Sequence, residues 1–595
     1  MFSRRDFLRI SAMATAAALV NWQCPIASAS NARREENEYD AIIIGAGLGG
    51  LSCAALLAMS GYVPLVIEKN SKSGGYATSF LRDDFSCEVS LHGVTGLPLS
   101  QLVLDQLGVA DKLSFVPHDF SWSSRYPGLS LDLPQPPRDE FGQVDPRLAL
   151  SDAYATLRDS FSDMLTADEL AVDESLELTD QGQPGLLGYM NCWAGLLTDL
   201  ENFYTPDGGM PEDPSQFPVL YPTWYSILNK TLDEIFQDYV LTTPALKAIL
   251  GQSWHYYGLP PSQIPGWLYL MYTGMYHGYG KYYIEGTSSS LSNALVETIQ
   301  NAGGEVLLNT EVNKIILENG QAVGVKAKES NGSNPRTRHY YSPAIVSNVA
   351  VPLTFGQLLP QANSIADLDD YLDNVVSGQP STSHCNVWLG LDISKDYNGT
   401  FMQHYNNIGS STLFYGGYDH DEAYDGLLEC DPERAGIAVM AYDKILSEYS
   451  PDGYLTLTLS LLCGYGPWES FEEEYFAGDK DRYYQEKDSV IEQIIGYIEE
   501  RALPGLSDLI VMQEASTPLT NVRFTNNTHG AIYGYDQTMD NSGLTRLEKF
   551  GQRTPVPGLY LVGAWSYPGG GFEPVMLSGV EAVKCMVEDN LLPTS

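Results

Sequence analysis

The residues with the clearest chemical signature in this chain form a glycine turn near its start. Gly45, Gly47 and Gly50 give the spacing G-x-G-x-x-G directly after a short apolar run. The first glycine of this pattern makes a tight turn, the second lets the backbone approach a pyrophosphate, and the third lets the following helix pack against the strand. Free N–H groups at the start of that helix attract an anion. The pattern therefore predicts a dinucleotide site, with Leu48 and Gly49 also in contact with the ligand.

An acidic residue and a second glycine turn follow this pattern. Residues 63–67 predict the next strand, which ends at Glu68. The Glu68 carboxylate is spaced to accept hydrogen bonds from a ribose 2′-hydroxyl, which favours an adenosine ribose without a 2′-phosphate. Gly74 and Gly75 form the second turn, and a plain NAD-binding domain has no need of it. The dinucleotide is therefore expected to be held by more than one turn.

A third turn of suitable type lies at the far end of the chain. Residues 559–562 predict a strand that ends at Gly563, residues 569–571 are consecutive glycines, and residues 574–586 predict a helix. The N-terminus of that helix suits a flavin carbonyl or a phosphate. Residues 303–312 predict a strand that enters a hairpin, and both an adenine contact and an ordinary strand pair remain open for it.

The first 29 residues have the pattern of an export signal. Arg4 and Arg5 precede an apolar run at residues 10–20, and residues 27–29 are small enough for cleavage. The apolar run is too short to span a bilayer, which favours a removable signal over an anchor. The twin arginines resemble a Tat signal, so we expect a periplasmic or otherwise extracytoplasmic protein that takes up its cofactor before export. A secretory signal with chance arginines and a lipid anchor at Cys24 are the alternatives.

Composition argues against several classes of function. The formal net charge is −42, and such a surface repels nucleic acid and anionic lipid headgroups. The cysteines form no C-x-x-C pair, which argues against zinc ribbons, c-type haem and clustered iron–sulfur ligation, and leaves an isolated disulfide open. Residues 419–431 are acidic without EF-hand spacing and predict a solvated loop. We therefore expect a globular enzyme with no metal and no nucleic-acid partner.

Four passages together resemble the FAD-dependent phytoene desaturase, carotenoid isomerase and retinol saturase group within the flavin amine oxidase superfamily. The first contains the glycine turn, Glu68 and the second turn. The second is residues 85–93, F-S-C-E-V-S-L-H-G, which is similar to the group's phenylalanine–acid–glycine–histidine stretch. The third is residues 257–262 with residues 291–295. The fourth is residues 515–534, whose T-P-L-T run is typical of the saturase and isomerase branch and argues against a generic amine oxidase.

This resemblance implies an α/β fold with a Rossmann-like FAD domain of the two-dinucleotide-binding type. The FAD domain would be assembled from residues 36–100, 276–350 and 511–595, and residues 101–275 and 351–510 would form an inserted α+β substrate domain. The second glycine turn would lie beside FAD, and the backbone of Val312 would contact the adenine. The FAD contacts implied by the resemblance are Gly45, Gly47, Leu48, Gly49, Gly50, Glu68, Lys69, Gly74, Gly75, Thr78, Val312, Gly563, Ala564, Phe572, Pro574 and Val575.

The chain departs from the group at two places. Relatives usually end the last strand with Gly-Asp, whose aspartate bonds a cofactor phosphate or ribitol hydroxyl, but the pair here is Gly563 and Ala564. The usual glycine pair before residue 291 is replaced by Gly286 and Thr287. FAD binding is still expected because many of its contacts come from the backbone.

Three side chains are candidates for proton transfer beside the flavin. His92 matches a family position at the cofactor, and a histidine pKa ordinarily lies near the working pH; a structural histidine is the alternative. Glu573 and Tyr567 lie in the last turn and would line the substrate face of the flavin, or form only loop structure. Glu88 is expected to fix the local backbone and not to transfer a proton.

The substrate is expected to be apolar. The aromatic stretches at residues 254–257 and 267–272 suit an apolar tunnel, or alternatively a tyrosine-rich core. The resemblance implies desaturation, saturation or isomerisation of C=C bonds in a hydrophobic polyene, isoprenoid or lipid-like molecule, with an external electron donor or acceptor and transient membrane contact. A flavin amine or amino-acid oxidase and a flavin-binding protein without turnover are the alternatives.

Overall fold

The fold is taken from a computed structural model of the 595-residue chain. The structure describes residues 23–26, 38–95, 98–139, 144–161, 163–166, 169, 184–203, 211, 213–329, 335–359, 365, 368–375 and 378–592. The predicted export signal at residues 1–29 therefore lies outside the described residues except at 23–26. In the described part of the chain, no helix combines the length and the apolar character that a membrane span needs.

Short strands make up five sheets in the described residues. The strands are β1 (Ala41–Ile44), β2 (Pro64–Ile67), β3 (Ser79–Arg82), β4 (Phe85–Glu88), β5 (Val94–Thr95), β6 (Phe115–Pro117), β7 (Phe120–Tyr126), β8 (Leu129–Pro134), β9 (Lys281–Ile284), β10 (Glu305–Leu307), β11 (Thr310–Glu318), β12 (Gln321–Glu329), β13 (Thr337–Tyr341), β14 (Ile345–Ser347), β15 (Ser383–Asp392), β16 (Ser411–Phe414), β17 (Ile437–Met440), β18 (Tyr454–Cys463), β19 (Ile510–Ala515) and β20 (Leu559–Leu561).

Helices connect and cover these sheets. Those in the described residues are α1 (Leu48–Met59), α2 (Pro98–Gln106), α3 (Pro146–Phe161), α4 (Gly185–Phe203), α5 (Phe217–Leu220), α6 (Pro222–Ile227), α7 (Leu232–Asp238), α8 (Pro244–Gly251), α9 (Gly266–Tyr279), α10 (Ser288–Asn301), α11 (Val351–Leu353), α12 (Leu368–Val375), α13 (Thr400–Tyr405), α14 (His420–Leu428), α15 (Pro432–Ala435), α16 (Gly466–Glu469), α17 (Glu472–Ala477), α18 (Asp481–Arg501), α19 (Leu506–Leu509), α20 (Pro518–Thr525), α21 (Gly543–Phe550) and α22 (Phe572–Glu588).

A five-stranded parallel sheet carries the predicted dinucleotide turns. Its strand order is β10-β2-β1-β14-β20, so strands from both ends of the chain lie side by side. One face, including Ile42 and Leu65, packs on the antiparallel β11-β12-β13 sheet, and the other packs on α1 and α22. Both faces are covered, which explains why β1 and β2 are continuous apolar runs. The predicted α/β class with a Rossmann-like unit is confirmed.

A second sheet of seven strands faces the first unit. Its order is β19-β15-β18-β17-β16-β7-β8. Residues 511–595 were predicted to lie wholly in the FAD domain, but β19 pairs with β15 and extends this second sheet. The boundary prediction is wrong by one strand because the sequence does not show which of two sheets an isolated apolar strand joins.

The acidic stretch at residues 419–431 is helical and not a loop. Asp419 accepts backbone N–H bonds at the start of α14, and Asp431 does the same at the start of α15. Aspartate is a favoured residue at a helix N-cap because its side chain satisfies N–H groups that have no partner inside the helix. The solvated-loop prediction is therefore wrong.

Replacing Gly50 by alanine is expected to lower the free energy of unfolding. A Cβ at Gly50 would lie 2.4 Å from the carbonyl oxygen of Gly45 and 2.9 Å from Cγ2 of Ile43, so α1 would have to move off the sheet at a cost of about 1–3 kcal/mol. Chemical denaturation of the wild type and the variant measures the difference.

The matched control is Gly496→Ala. Gly496 lies inside α18, is exposed, and has no atom within 4 Å of the position of a new Cβ. This change is expected to raise stability by up to about 1 kcal/mol, since alanine favours helix more than glycine does. Equal effects of the two substitutions would contradict the close packing of α1 on β1.

Candidate functional site

A cavity of about 1190 Å³ lies between the parallel sheet and the seven-stranded sheet. Its polar wall comes from the turn after β1, the end of β2, the second glycine turn and the turn before α22. Its other wall comes from aromatic residues of α9 and from residues of β15, β16, β17 and β18 that face inward. The cavity therefore joins the predicted cofactor segments to the predicted substrate segments.

The first glycine turn has no room for side chains. A Cβ at Gly47 would lie 2.5 Å from Nδ2 of Asn348, and one at Gly49 would lie 2.7 Å from the backbone nitrogen of Gly563. Gly45 has a φ of +93°, which side chains rarely adopt. The first turn of α1 has no side-chain cap, so its N–H groups are left for an anionic ligand. These features fit a pyrophosphate.

Glu68 joins the turn to the end of β2. Its Oε2 accepts the Ala46 N–H at 2.8 Å, and its Oε1 accepts the Asn70 N–H at 2.8 Å. The carboxylate is 7% exposed and lies on the cavity wall. Each oxygen retains a second lone pair, so Glu68 can still accept from a ribose hydroxyl.

Most of the predicted cofactor residues come together on this wall. The residues that line the cavity are Gly45, Gly47, Leu48, Gly49, Glu68, Lys69, Gly74, Gly75, Thr78, Val312, Gly563, Ala564, Phe572, Pro574 and Val575. Gly50 does not line it, because its role is the close packing of α1 against β1. The Lys69 ammonium donates a hydrogen bond to the backbone carbonyl of Arg523 at 3.0 Å. Lys69 therefore also connects α20 to the cofactor wall.

Asn348 belongs to the site but was not predicted as a contact. It follows β14 at the sheet edge that also carries Gly45 and Glu68. A Cβ at Gly563 would lie 2.5 Å from its Oδ1, so its side chain fills the space between the first and last turns. A polar residue directly after a buried strand of a parallel sheet is the signal that identifies it, because ligands bind at the carboxyl ends of such strands.

The turn with Ala564 is held by a buried arginine. Arg546 is 0% exposed and donates to the backbone carbonyls of Ala564 at 2.9 Å, Tyr535 at 3.2 Å and Ser566 at 3.4 Å. The Gly563 N–H donates to Oγ of Ser578 at 2.8 Å. The backbone of the last turn is thus fixed without the aspartate that relatives usually carry.

His92 lies on the cavity wall but has an unusual pKa. Its ring meets the Tyr256 ring edge-on at a centroid distance of 5.7 Å. Burial, followed by the nearby Lys281 and His384, lowers the pKa of His92 to about 3. The expectation of a pKa near the working pH is therefore wrong, because the enclosed site disfavours the imidazolium. Neutral His92 can therefore share hydrogen bonds at ordinary pH, but it is a weak proton acceptor and does not store a proton.

Lys281 is a buried lysine near His92 that was not predicted from the sequence. It is buried, donates to Oγ of Ser411 at 2.7 Å, and places its ammonium 5.8 Å from the centre of the Tyr256 ring. Burial lowers the pKa of Lys281 to about 7. A Cβ at Gly93 would lie 2.6 Å from Cε of Lys281, so the residue after His92 must be small to admit this lysine.

Glu88 anchors the segment that carries His92, as predicted. Its buried carboxylate accepts from the backbone N–H and the hydroxyl of Ser288 at 2.9 and 2.6 Å, and from the Tyr283 hydroxyl at 2.8 Å. Ser288 begins α10, and a carboxylate is favourable at a helix N-terminus. Glu88 therefore positions backbone and does not face the cavity.

Of the two other catalytic candidates, one lines the cavity and one does not. Glu573 lines the cavity in the first turn of α22, and its Oε1 accepts from the Ser100 hydroxyl at 2.8 Å. Tyr567 is buried and does not line the cavity. Its backbone N–H donates to the Phe550 carbonyl at 2.7 Å, which holds it against α21. The position of Tyr567 therefore does not suit a catalytic role in this cavity.

The aromatic stretches divide between cavity wall and core. Tyr256, Tyr257, Tyr272 and Tyr276 line the cavity together with Met275. Trp254, Trp267 and Tyr269 are buried and do not line it. These stretches therefore contribute side chains both to the cavity wall and to the buried core.

Comparisons with known proteins agree with this geometry. Residues 43–107 match a family model described as an NAD(P)-binding Rossmann-like domain. The chain is similar to an all-trans-retinol 13,14-reductase of Danio rerio, with 23% identity over 546 residues that cover 89% of this chain and 83% of the relative. It is also similar to prolycopene isomerase 2, chloroplastic, of an Oncidium hybrid cultivar, with 25% identity over 562 residues that cover 92% and 83%.

The solved structures establish the fold. A putrescine oxidase with putrescine bound superposes with a TM-score of 0.52 and 13% identity, and the match covers 93% of this chain and 99% of that one. Together with the family model, this likeness confirms the predicted fold class. The comparisons also agree with FAD as the cofactor and with an oxidoreductase as the class of enzyme.

His92 is expected to remain neutral between pH 5 and 8. Its folded pKa lies below the unfolded value of about 6.5, so its contribution to stability is present above pH 6.5 and is lost as the pH falls toward 3. NMR of histidine-labelled protein, with His92→Asn to assign the signal, measures the titration directly. The guanidinium-unfolded protein is the control, in which all nine histidines should titrate near the ordinary value. A titration step between pH 5.5 and 7.5 that disappears in His92→Asn would overturn the assignment.

Proposed function

We propose that this FAD-dependent oxidoreductase acts on the C=C bonds of an apolar polyene or isoprenoid. The observation that carries the proposal is the continuity of one cavity from the glycine turns to a wall of Tyr256, Tyr257, Tyr272 and Tyr276. Aromatic walls suit a flat conjugated chain, and their hydroxyls can orient a polar end. The retinol reductase and prolycopene isomerase to which the chain is similar support a polyene substrate.

The residues of the cofactor wall fit FAD. The Gly45 turn and the start of α1 would hold the pyrophosphate, Glu68 the adenosine ribose and Val312 the adenine. The turn from Ala564 to the start of α22 would hold the flavin end. When bound, FAD supplies the hydride and electron chemistry.

The protein's own residues would orient the substrate and manage protons. The apolar wall excludes water from a long hydrophobic chain and fixes which double bond faces the cofactor. His92 is neutral and suited to accept a hydrogen bond from, or donate one to, the substrate or the cofactor. Burial raises the pKa of Tyr256, so its hydroxyl keeps its proton and acts as a donor of hydrogen bonds. Glu573 is a carboxyl group on the same wall.

We place the predicted transient membrane contact at the outer rim of the cavity. Leu81, Tyr484 and Phe524 line the rim and are 67%, 49% and 54% exposed. Lys487 and Arg523 lie on the same rim. Exposed apolar side chains beside two cations suit the interface of a lipid surface, despite the net negative charge of the whole chain, and an apolar substrate would enter from it without crossing water.

The test of this function is a substrate panel on the holoenzyme. Oxidised and dithionite-reduced protein is mixed anaerobically with polyenes, quinones and amines, each offered in detergent and in anionic vesicles. A polyene is expected to be converted to an isomer or to a product that differs by two hydrogens. Peroxide release with an amine and no polyene conversion would favour an amine oxidase, and purified protein without a flavin chromophore would overturn the proposal.

A pair of variants ties that conversion to the apolar wall. Met275 lines the cavity, so Met275→Trp should reduce polyene turnover by about tenfold or more while the flavin content stays unchanged. Tyr397→Trp is the control, because Tyr397 is 93% exposed. Equal turnover of the two variants would place the substrate elsewhere.

We also propose export through the Tat route, with a periplasmic or other extracytoplasmic location. The support is the twin arginine at Arg4 and Arg5 ahead of the short apolar run. Mass spectrometry of the fractionated protein is expected to find a mature N-terminus near Ser30. Arg4→Lys with Arg5→Lys should retain the precursor in the cytoplasm. An uncleaved wild-type chain in the cytoplasm would contradict export.

A further inference from the structure

Three buried thiols meet behind the cavity wall. Cys385 on β15 and Cys463 at the end of β18 have their sulfur atoms 3.3 Å apart. Cys430 follows α14, and its thiol donates to the backbone carbonyl of Gly464, the residue after Cys463, at 3.6 Å. The side chains of Cys385, Cys463 and Cys430 are 2%, 0% and 5% exposed, respectively. We call Cys385, Cys430 and Cys463 the thiol cluster.

The surrounding backbone holds the thiol cluster together. The N–H of Gly464 donates to the Leu427 carbonyl at 2.9 Å, which ties the end of α14 to the residue after Cys463. A Cβ at Gly464 would lie 2.4 Å from the carbonyl oxygen of Leu428, so the two segments are in close contact. The antiparallel pairing of β15 with β18 fixes the position of Cys385 beside Cys463. The sulfur atoms are therefore close because of the fold and not through chance rotamers.

Cys430 differs chemically from its two neighbours. The indole N–H of Trp468 donates to its sulfur at 3.3 Å. The neighbouring thiols of Cys385 and Cys463, together with the Trp468 indole, lower the pKa of Cys430, whereas burial raises the pKa of Cys385 and Cys463. A thiol with a lowered pKa beside two protonated thiols is the usual arrangement of a reactive and a resolving cysteine.

A metal site does not explain the thiol cluster. In the parts of the chain that the structure describes, no group of cysteine, histidine and carboxylate side chains has the arrangement needed to hold a metal ion. Structural zinc takes four such ligands in a tetrahedron. The thiol cluster therefore brings sulfur atoms together outside any metal arrangement in the described residues.

We propose that the thiol cluster is a site of reversible oxidation, at which a hydroperoxide converts Cys430 and one of its two neighbours into a disulfide. The Cys430 thiolate attacks the peroxide, the O–O bond breaks, and hydroxide or alkoxide leaves with a proton, so that Cys430 becomes a sulfenic acid. The thiol of Cys385 or Cys463 then attacks the Cys430 sulfur and releases water. Two thiols are oxidised by two electrons, and the peroxide is reduced by two electrons.

The position of this bond gives it a consequence for the candidate active site. His384, Asn386 and Leu462 lie beside Cys385 and Cys463 on β15 and β18 and face the cavity. A disulfide would therefore join the α14 segment covalently to the sheet that forms the substrate wall. This inference does not rest on the proposed substrate, since the reaction concerns thiols outside the cavity.

The test treats purified holoprotein with hydrogen peroxide and counts thiols after denaturation. The wild type is expected to lose two thiols and to yield one disulfide that peptide mapping places within the thiol cluster. Cys430→Ser should slow this loss by about tenfold or more, since the two remaining thiols are poor nucleophiles. Cys385→Ser and Cys463→Ser should each still form one disulfide. The double variant should instead accumulate a Cys430 sulfenic acid that dimedone traps.

Two further measurements keep the test decisive. Burial raises the pKa of Cys192 to about 11, so Cys192→Ser is the matched control and should react like the wild type. The wild-type oxidation rate should change little between pH 6 and 8, whereas an ordinary thiol would react faster with each unit of pH; this readout does not depend on the folding of any variant. Oxidation of Cys430→Ser at the wild-type rate, a disulfide elsewhere, or thiol loss without a disulfide would overturn the proposal.

Discussion

The structure depends on the close approach of three backbone segments at the edge of the parallel sheet. The start of α1, the turn after β20 and the middle of α22 meet with no room for a side chain at Gly49, Gly563 or Gly579, where a Cβ would lie 2.4 to 2.7 Å from neighbouring atoms. Because these segments come from opposite ends of the chain, the cofactor wall exists only when both ends have folded together. The residues between these two ends of the chain form the second sheet and the aromatic wall. The cavity is the space between that wall and the cofactor wall.

Burial also governs the charges around this cavity. A protein with a net charge of −42 still encloses Glu88, Lys281 and Arg546, and each has hydrogen-bond partners supplied by nearby backbone or hydroxyl groups. An enclosed charge without partners would cost several kcal/mol, so these groups hold the loops that contact them in a single arrangement. The same enclosure keeps His92 neutral. Hydrogen bonds thus fix the enclosed charged groups around the site, while His92 beside them stays uncharged.

Local patterns in the sequence predicted the parts of the fold that depend on neighbouring residues. The spacing of Gly45, Gly47 and Gly50 identified the turn between β1 and α1, in which Gly50 packs closely on β1, and Glu68 lies at the end of β2 where an acid was expected. Asn348, Arg546 and Lys281 were missed because their roles arise only when distant segments meet. The misplaced boundary at β19 and the position of Tyr567 outside the cavity wall have the same origin, since sheet membership and burial are decided by tertiary packing. The pKa of His92 could not be predicted from residue type, because it is set by enclosure.

The replacement of the usual acid by Ala564 is the clearest example of this dependence. An aspartate there would place a negative charge beside the start of α22, whose N–H groups form the positive end of a helix dipole. With alanine, the Ala564 carbonyl is bound by Arg546, so the turn keeps its shape while the local charge becomes more positive. A more positive environment stabilises negative charge in whatever group binds at the start of α22. We therefore expect Ala564 to preserve the shape of this turn and to leave the site more positive than an aspartate would.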